Sequence, residues 1–329
     1  MKVLVTGGAG YIGSHAVREL REAGHDVTVL DDLSQGHRAS VPPDVPLAAA
    51  DLGDAAAVEE AAAGAEAVMH FAGRVSVAES VADPFPYYSN NVAKGLVLLS
   101  VMESAGVRRI VFSSTCAIYG MPVKVPMDET HAQAPINPYG ATKRAFENAL
   151  ADHARAGRLR AVALRYFNAA GCHPDGSLGE HHEPEEHLIP RAIDAALGRT
   201  DGLTIHGEDY DTPDGTCIRD YIHVQDLARA HVLALTAMDR GEPFAAYNLG
   251  TGSGVSVREV IQSVERVSGR KVPARVGPRR PGDPPRLVAS AERAARELGF
   301  RPAHPDLDDI VATAFRWREV HPGGYGSAS

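Results

Sequence analysis

Tyr139 and Lys143 lie one helical turn apart in the run Asn137-Pro138-Tyr139-Gly140-Ala141-Thr142-Lys143. An i, i+4 pair shares one face of a helix. Pro138 suits the first helical position and Asn137 the N-cap. Phe146 and Leu150 continue the same face. On an ordinary amphipathic helix the pair would be a core tyrosine beside a snorkelling lysine. It can also do acid–base chemistry. A free tyrosine has a pKa of about 10 and is a poor base at neutral pH. A nearby ammonium lowers such a value by roughly 1–3 units, and a helix N-terminus acts in the same direction. With one more positive charge close by, Tyr139 is expected at about 7, where a general base works well. Upstream, Ser113-Ser114-Thr115 forms a hydroxyl-rich turn after an apolar strand. One of these hydroxyls could share a substrate proton, although serine and threonine also bond local backbone in ordinary turns.

The redox partner for such a base is written at the start of the chain. Residues 3–15 read VLVTGGAGYIGSH, with Gly7, Gly10 and Gly13 between a short apolar strand and a helix. Glycine there permits positive φ and lets backbone approach a pyrophosphate. The helix N-terminus then offers free N–H groups to the anion. The second strand ends at Asp31, whose carboxylate can accept from both ribose hydroxyls of adenosine and would repel a 2′-phosphate. The next arginine is Arg38. NAD is therefore expected rather than NADP. Asp51-Leu52 ends the third strand, where a carboxylate could reach the adenine amine. Beside a nicotinamide, Tyr139 would take the proton of an alcohol as hydride leaves.

These residues need a scaffold. Strands are expected at 2–5, 26–30, 47–50, 67–71, 109–113 and 160–165. Helices are expected from the glycine turn to residue 21 and at 55–63, 91–105 and 141–153. Short apolar strands alternating with helices imply an α/β fold with a doubly wound parallel sheet of Rossmann type. After Tyr166 the texture changes. Residues 168–187 read as a long loop rich in Gly, His, Pro and acids, and 275–285 as an irregular stretch. The expected division is a dinucleotide-binding domain at 1–166 and a smaller C-terminal substrate lobe at 167–329. A helix at 226–237, within about 218–240, is expected to return to the main sheet. Residues 323–329 are expected to fray.

Composition narrows the class. The 329 residues are 44% hydrophobic and 23% charged, with a net charge of −9. That balance supports a large core and argues against a nucleic-acid partner, which needs a basic face. Cys116, Cys172 and Cys217 are widely spaced and odd in number, which fits a reducing compartment. No run approaches the ~20 apolar residues of a membrane span, and the first residues read directly as a strand. A cytoplasmic protein with no membrane association and no metal is expected.

Over nearly its whole length the chain resembles the UDP-glucose 4-epimerases of the extended short-chain dehydrogenase/reductases. The matching runs are TGGAGYIGSH (6–15), HFAG (70–73), YYSNNV (87–92), SSTCAIYG (113–120) and NPYGATK (137–143). They continue with LRYFNAAGCHPDGSLGE (164–180), HLIP (187–190), DGTCIRDYIHVQDLA (214–228), YNLGTG (247–252) and PRRPGD (278–283). The resemblance implies C4 epimerisation of UDP-hexoses by transient oxidation, with Tyr139, Lys143 and Thr115 catalytic. It implies NAD contacts from Gly7, Gly10, Tyr11, Ile12, Gly13, Asp31, Asp32, Ser34, Gly36, Asp51, Leu52, Phe71, Ala72, Gly73, Asn90, Lys143 and Phe167. It implies sugar-nucleotide contacts from Thr115, Tyr139, Asn168, Leu188, Arg219, Arg280, Asp283 and Leu287. Arg219 and Arg280 are guanidinium forks suited to a diphosphate, and Asp283 can accept from a ribose.

Two features depart from many relatives. Thr115 stands where serine is common, and Arg74-Val75 occupies a region that often carries a cofactor-binding lysine. Nucleotide-sugar 4,6-dehydratases share the oxidation step but place Asp-Glu after the threonine, where this chain has Cys116-Ala117. A non-catalytic NAD sensor would have no need of Thr115, Tyr139 and Lys143 together. Relatives pair the helices expected at 91–105 and 141–153 across a two-fold axis, so a homodimer is expected.

Overall fold

The computed structural model describes residues 1–280 and 282–326. In chain order the first half comprises β1 (Lys2–Thr6), α1 (Tyr11–Glu22), β2 (Asp26–Asp31), β3 (Leu47–Ala49), α2 (Ala55–Ala61) and β4 (Ala67–His70). It continues with α3 (Val77–Ala82), α4 (Phe85–Tyr88), α5 (Lys94–Ser104), β5 (Arg109–Ser113), α6 (Pro138–Arg155) and β6 (Arg160–Tyr166). The second half comprises β7 (Asn168–Ala170), α7 (Leu188–Ala196), β8 (Leu203–His206), β9 (Ile218–His223), α8 (Val224–Ala237) and β10 (Phe244–Leu249). Then follow β11 (Gly254–Ser256), α9 (Val257–Ser268), β12 (Ala274–Gly277), β13 (Arg286–Leu287), α10 (Glu292–Glu297) and α11 (Leu307–Val320).

Seven strands form one parallel sheet in the order β3-β2-β1-β4-β5-β6-β10. Both faces are covered, which is why the strands lack polar alternation. Alternate side chains supply two separate cores. Val3, Val5, Val29, Met69 and Val111 pack with Val17 and Leu20 of α1 and Leu227 and Ala230 of α8. Leu4, Leu30, Val68, Ile110 and Phe112 pack with α2, α5 and α6 through Val58, Leu98 and Phe146. The strand order reverses between β1 and β4, opening a crevice at their carboxyl ends.

The remaining elements build a second unit. β9 lies between β11 and β13 and also pairs with β7, while β8 pairs with β12. Helices α7, α9 and α11 close a third core that includes Ile189, Val260, Ile310 and the fully buried Trp317. The chain re-enters the central sheet through α8 and then β10, the latter lying past residue 240.

The loop expected at 168–187 is corrected at its start, where Asn168–Ala170 form β7 by parallel pairing with β9. Three further boundaries differ from expectation for identifiable reasons. The helix expected from residue 91 starts at Lys94, after a π-helical turn at Ser89–Ala93. That turn buries Asn91, whose amide is bound on both sides to the Arg74 backbone. β12 occupies part of the stretch expected to be irregular, while Pro281 within it lies outside the described residues. The expectation of a frayed end at 323–329 is corrected over Gly324–Gly326, which form a 3₁₀ turn. The Tyr325 hydroxyl accepts from Gly179 N–H (2.9 Å) and donates to its carbonyl (3.2 Å), and its ring stacks on His37 at 5.0 Å. Residues 327–329 of that expectation lie outside the described residues.

Candidate active site

The crevice is glycine-shaped. Gly7 adopts φ +74°, and a Cβ there would fall 2.4 Å from Ala72 N; a Cβ on Gly13 would fall 2.1 Å from the Gly7 carbonyl oxygen. The turn, the start of α1 and the Phe71-Ala72-Gly73 segment after β4 therefore pack backbone to backbone. The N-cap of α1 is Gly10, which offers no side-chain cap, so the first-turn N–H groups lack a side-chain acceptor and suit an anion. Tyr11 donates from its hydroxyl to the Gly171 carbonyl (2.5 Å), and Ile12 packs on the adjoining core.

At the end of β2 the buried Asp31 carboxylate accepts from Ala9 N–H and Leu33 N–H, both at 2.9 Å. Burial raises its pKa. Leu33 carries φ +58°, the only non-glycine positive φ among the described residues, a strained conformation at the edge of a binding site. Asp32 accepts from Ser34 N–H (2.9 Å) and from its hydroxyl (2.6 Å). A Cβ on Gly36 would sit 2.7 Å from the Asp31 carboxylate. Asp51 is engaged by Lys94 and accepts from Gly53 N–H (2.7 Å), while Leu52 is buried. This donor set fits NAD: a cradle that any side chain would fill, uncapped helix N–H groups, and an acid rather than an arginine at the ribose position.

Tyr139, Lys143 and Thr115 come together at the ends of β5 and α6. Asn137 caps the helix by accepting from Gly140 N–H (2.8 Å), and Tyr139 N–H donates to the buried Ser80 hydroxyl (3.2 Å). A Cβ on Gly140 would lie 2.4 Å from the Ala117 carbonyl oxygen, so glycine lets the helix start press against the Thr115 turn. The Thr115 hydroxyl accepts from Ala117 N–H (3.1 Å) and lies close enough to the Tyr139 hydroxyl to lower its pKa. It thus serves both the turn and the site. Lys143 donates to the Ser113 carbonyl (3.0 Å) and stands 4.9 Å from the Phe112 ring centre and 6.0 Å from that of Tyr139. Gly73 leaves the room beside its ammonium.

The protein's own groups set the starting point for this acid–base pair. Burial raises the Tyr139 hydroxyl well above its ordinary value, Tyr166 adds to this, and the nearby Thr115 hydroxyl only partly opposes it. Lys143 alone therefore does not bring Tyr139 to neutrality. Burial lowers Lys143 to about 8 against the pull of Glu147, leaving it cationic at neutral pH. His70, hydrogen-bonded to Thr6 (2.6 Å), is lowered to about 3 by burial and then by Lys143. The neutral imidazole adds no competing charge.

Behind Lys143 lies a network with no local sequence signal. Glu147 and Arg165 form a buried pair, each side chain 3% exposed, joined at 2.6, 3.1 and 3.2 Å. Ser114 donates to Glu147 as well. Arg165 donates to the Tyr119 hydroxyl (2.9 Å), which donates to Asn248 (2.6 Å). The carboxylate one turn on from Lys143 is thereby held by Ser114 after β5 and by Arg165 of β6. Asn91 was also missed by pattern reading. It bonds Thr142 (3.2 Å) and backs Gly73, whereas the expected Asn90 bonds only Asn91 (3.3 Å).

On the substrate side, the Arg219 guanidinium pairs with Asp283 and donates to the carbonyls of Ile218 (2.8 Å) and Pro284 (3.0 Å). The two residues expected to grip different parts of a nucleotide thus hold each other. Arg280 is exposed in the turn leading to Asp283. Arg280 and Arg191 both lower the pKa of His206, though burial is the larger cause, so Arg191 faces the same region without having been expected. Neighbouring Arg279 is instead occupied by Asp209 (2.6 Å) and the Tyr210 ring (4.2 Å). Asn168 donates to the Asp220 carbonyl (3.0 Å), and Leu188 opens α7. Phe167 and Leu287 share a small cluster with Cys116, Ile118 and Tyr119, which brings Leu287 beside the Thr115 turn.

Residues 3–250 match the model of the NAD dependent epimerase/dehydratase family. The chain belongs to that family. It is 50% identical over 329 residues to UDP-glucose 4-epimerase of Azospirillum brasilense, covering 99% of this chain and 94% of that protein. Among solved structures it is similar to UDP-glucose 4-epimerase from Brucella ovis in complex with NAD. There the identity is 51% and the TM-score 0.93, with 95% of this chain and 97% of that one covered. The enzyme from Bifidobacterium longum in complex with NAD⁺ and UDP gives 40% identity and a TM-score of 0.93, covering 98% and 100%.

Proposed function

We propose that this protein interconverts UDP-glucose and UDP-galactose by transient oxidation at C4, with NAD held throughout the cycle. The observation that carries this reading is the convergence of Tyr139, Lys143 and the Thr115 hydroxyl at the ends of β5 and α6, over the glycine cradle. The residues proposed to hold NAD are Gly7, Gly10, Tyr11, Ile12, Gly13, Asp31, Asp32, Ser34, Gly36, Asp51, Leu52, Phe71, Ala72, Gly73, Asn90, Lys143 and Phe167. When bound, NAD supplies the hydride acceptor for C4 and its positive nicotinamide ring. Tyr139 takes the O4 proton and later returns it, while Thr115 holds the same oxygen. Lys143 keeps an ammonium next to the developing phenolate. Arg219, Arg280, Asp283, Asn168 and Leu188 anchor the UDP portion, so the hexose can turn over at its free end. Cys116-Ala117 supplies no acid pair for eliminating water, which separates this site from a 4,6-dehydratase. Residues 1–166 with about 218–240 form the cofactor domain in this reading, and most of 167–329 the sugar-nucleotide lobe.

Hydride must return to the sugar it left, so the reduced cofactor cannot be released between half-reactions. NAD(H) is therefore expected to copurify, with full turnover in the absence of added NAD. Acid release followed by nicotinamide-nucleotide assay measures this. Cofactor-free protein that gains activity on adding NAD would contradict it.

Leu287 is the expected gate at the hexose C2 group. It is smaller than tyrosine and leaves partial room for an acetamide, so UDP-N-acetylglucosamine is expected to react slowly. Leu287→Tyr should lower the ratio of kcat/KM for UDP-N-acetylglucosamine to that for UDP-glucose about 10–200-fold, the range for one misfitting group. An unchanged ratio removes Leu287 from this role.

A homodimer is the expected assembly. α5 is apolar around most of its circumference, with Leu96 45% exposed, and Phe85 of the adjacent α4 is 78% exposed. Light scattering at micromolar concentration should give twice the chain mass, and a monomeric mass would refute the pairing. No helix among the described residues is long and apolar enough to cross a membrane. Cys116, Cys172 and Cys217 are free thiols, which suits a cytoplasmic location.

A further inference from the structure

We propose that Glu180, His182, Glu185 and His187 form a zinc-class metal site that pins the loop after β7 between the cofactor and substrate sides of the molecule. Each offers one ligand atom, and these four atoms lie within 4.8 Å of one another. His182 Nδ1 is 3.5 Å from Glu180 Oε1 and 3.7 Å from Glu185 Oε1, and His187 Nδ1 is 3.9 Å from Glu185 Oε1. A tetrahedral ion with bonds of about 2.0–2.2 Å separates its ligands by about 3.3–3.6 Å. The set therefore stands near the edge lengths of such a tetrahedron, with the closer Glu180–His187 contact opening on binding.

A second observation points to the same place. His182 Nδ1 is buried and has no hydrogen-bond partner, although it faces two carboxylate oxygens. Those separations are too long for hydrogen bonds and suit co-ligands of one ion. The second carboxylate oxygen of Glu185 is held by Arg318 at 2.7 Å, while Oε1 accepts from His187 N–H (3.0 Å) and faces the two imidazoles. Glu180 is buried, and the half-exposed His187 gives the ion a way in. Two imidazole nitrogens favour zinc, cobalt or nickel over calcium or magnesium. Two carboxylates balance a dication. Four protein ligands leave no open position, so the site is structural rather than catalytic.

The placement gives the ion something to hold. The Tyr11 ring, on the cofactor helix, meets His182 edge-on at 6.1 Å, and His187 directly precedes Leu188 at the start of α7. Fixing 180–187 thus fixes both neighbours.

The test uses the NAD-loaded full chain, stripped with a chelator, desalted and titrated with zinc chloride by calorimetry. One zinc per chain is expected. His182→Gln and Glu180→Gln should each weaken it about 100-fold or more, since even residues that only support a ligand cost 10–100-fold. Cobalt chloride on the wild-type protein should give the intense visible bands of a tetrahedral site, a readout that needs no variant. Zinc should also raise the Tm of the wild type but not of either variant. The absence of stoichiometric zinc, equal affinity in His182→Gln, or a weak octahedral cobalt spectrum would each overturn the proposal and leave a purely hydrogen-bonded cluster.

Discussion

Tyr139→Phe should leave UDP-sugar affinity close to that of the wild type while kcat falls by about 10²–10⁴-fold, the usual contribution of a general acid–base group. The substitution removes the hydroxyl beside Thr115 and almost no volume. The ring stays packed at 8% exposure, and the backbone N–H keeps its bond to Ser80. Steady-state kinetics together with a binding isotherm for UDP-glucose separate the two effects. A variant with near-wild-type kcat would exclude Tyr139 as the base. The raised hydroxyl pKa makes this a demanding case. The protein's own groups keep Tyr139 protonated, so its activation depends on cationic neighbours, which tolerate little displacement.

Arg165→Met should destabilise the NAD-loaded protein by about 3–5 kcal/mol, as expected when one partner of a buried ion pair is removed. Glu147 would keep the Ser114 hydrogen bond but lose every bond to the guanidinium. Adding Glu147→Leu should recover much of the loss, because the uncompensated charge then disappears. The shift in urea midpoint at constant m-value reads both outcomes. A single-variant loss below about 1 kcal/mol would mean that water or local rearrangement satisfies Glu147.

The contrast between these residues marks what a sequence can disclose. Gly7, Gly10 and Gly13 were legible because strand, turn and helix are local, and Gly7 and Gly13 mark backbone that no Cβ can enter. Tyr139 and Lys143 were legible because helical periodicity fixes their shared face. The alternation of apolar strands with helices was enough for the sheet class. Arg165 gave no such signal. It meets Glu147 only because β6 lies beside β5 and next to α6, a relation set by the sheet and not by spacing. Asn91 was hidden by a π turn that periodicity reads as plain helix. Tyr325 looked like part of a free tail, yet its hydroxyl is bound to Gly179, far earlier in the chain. Arg219 and Asp283 were each identifiable as polar candidates, but their mutual pairing depends on β13 lying against β9. The Tyr139 pKa is legible only in part: the ammonium can be read from the sequence, whereas the burial that opposes it cannot.

The most direct test follows one atom. UDP-galactose carrying deuterium at C4 is incubated in ordinary water with the protein and no added cofactor. Oxidation and reduction at a single carbon, with the hydride retained between them, predict UDP-glucose bearing the deuterium still at C4, seen by NMR and mass spectrometry. Loss of the label to solvent, or its appearance elsewhere in a 4-keto-6-deoxy sugar, would contradict the proposed mechanism.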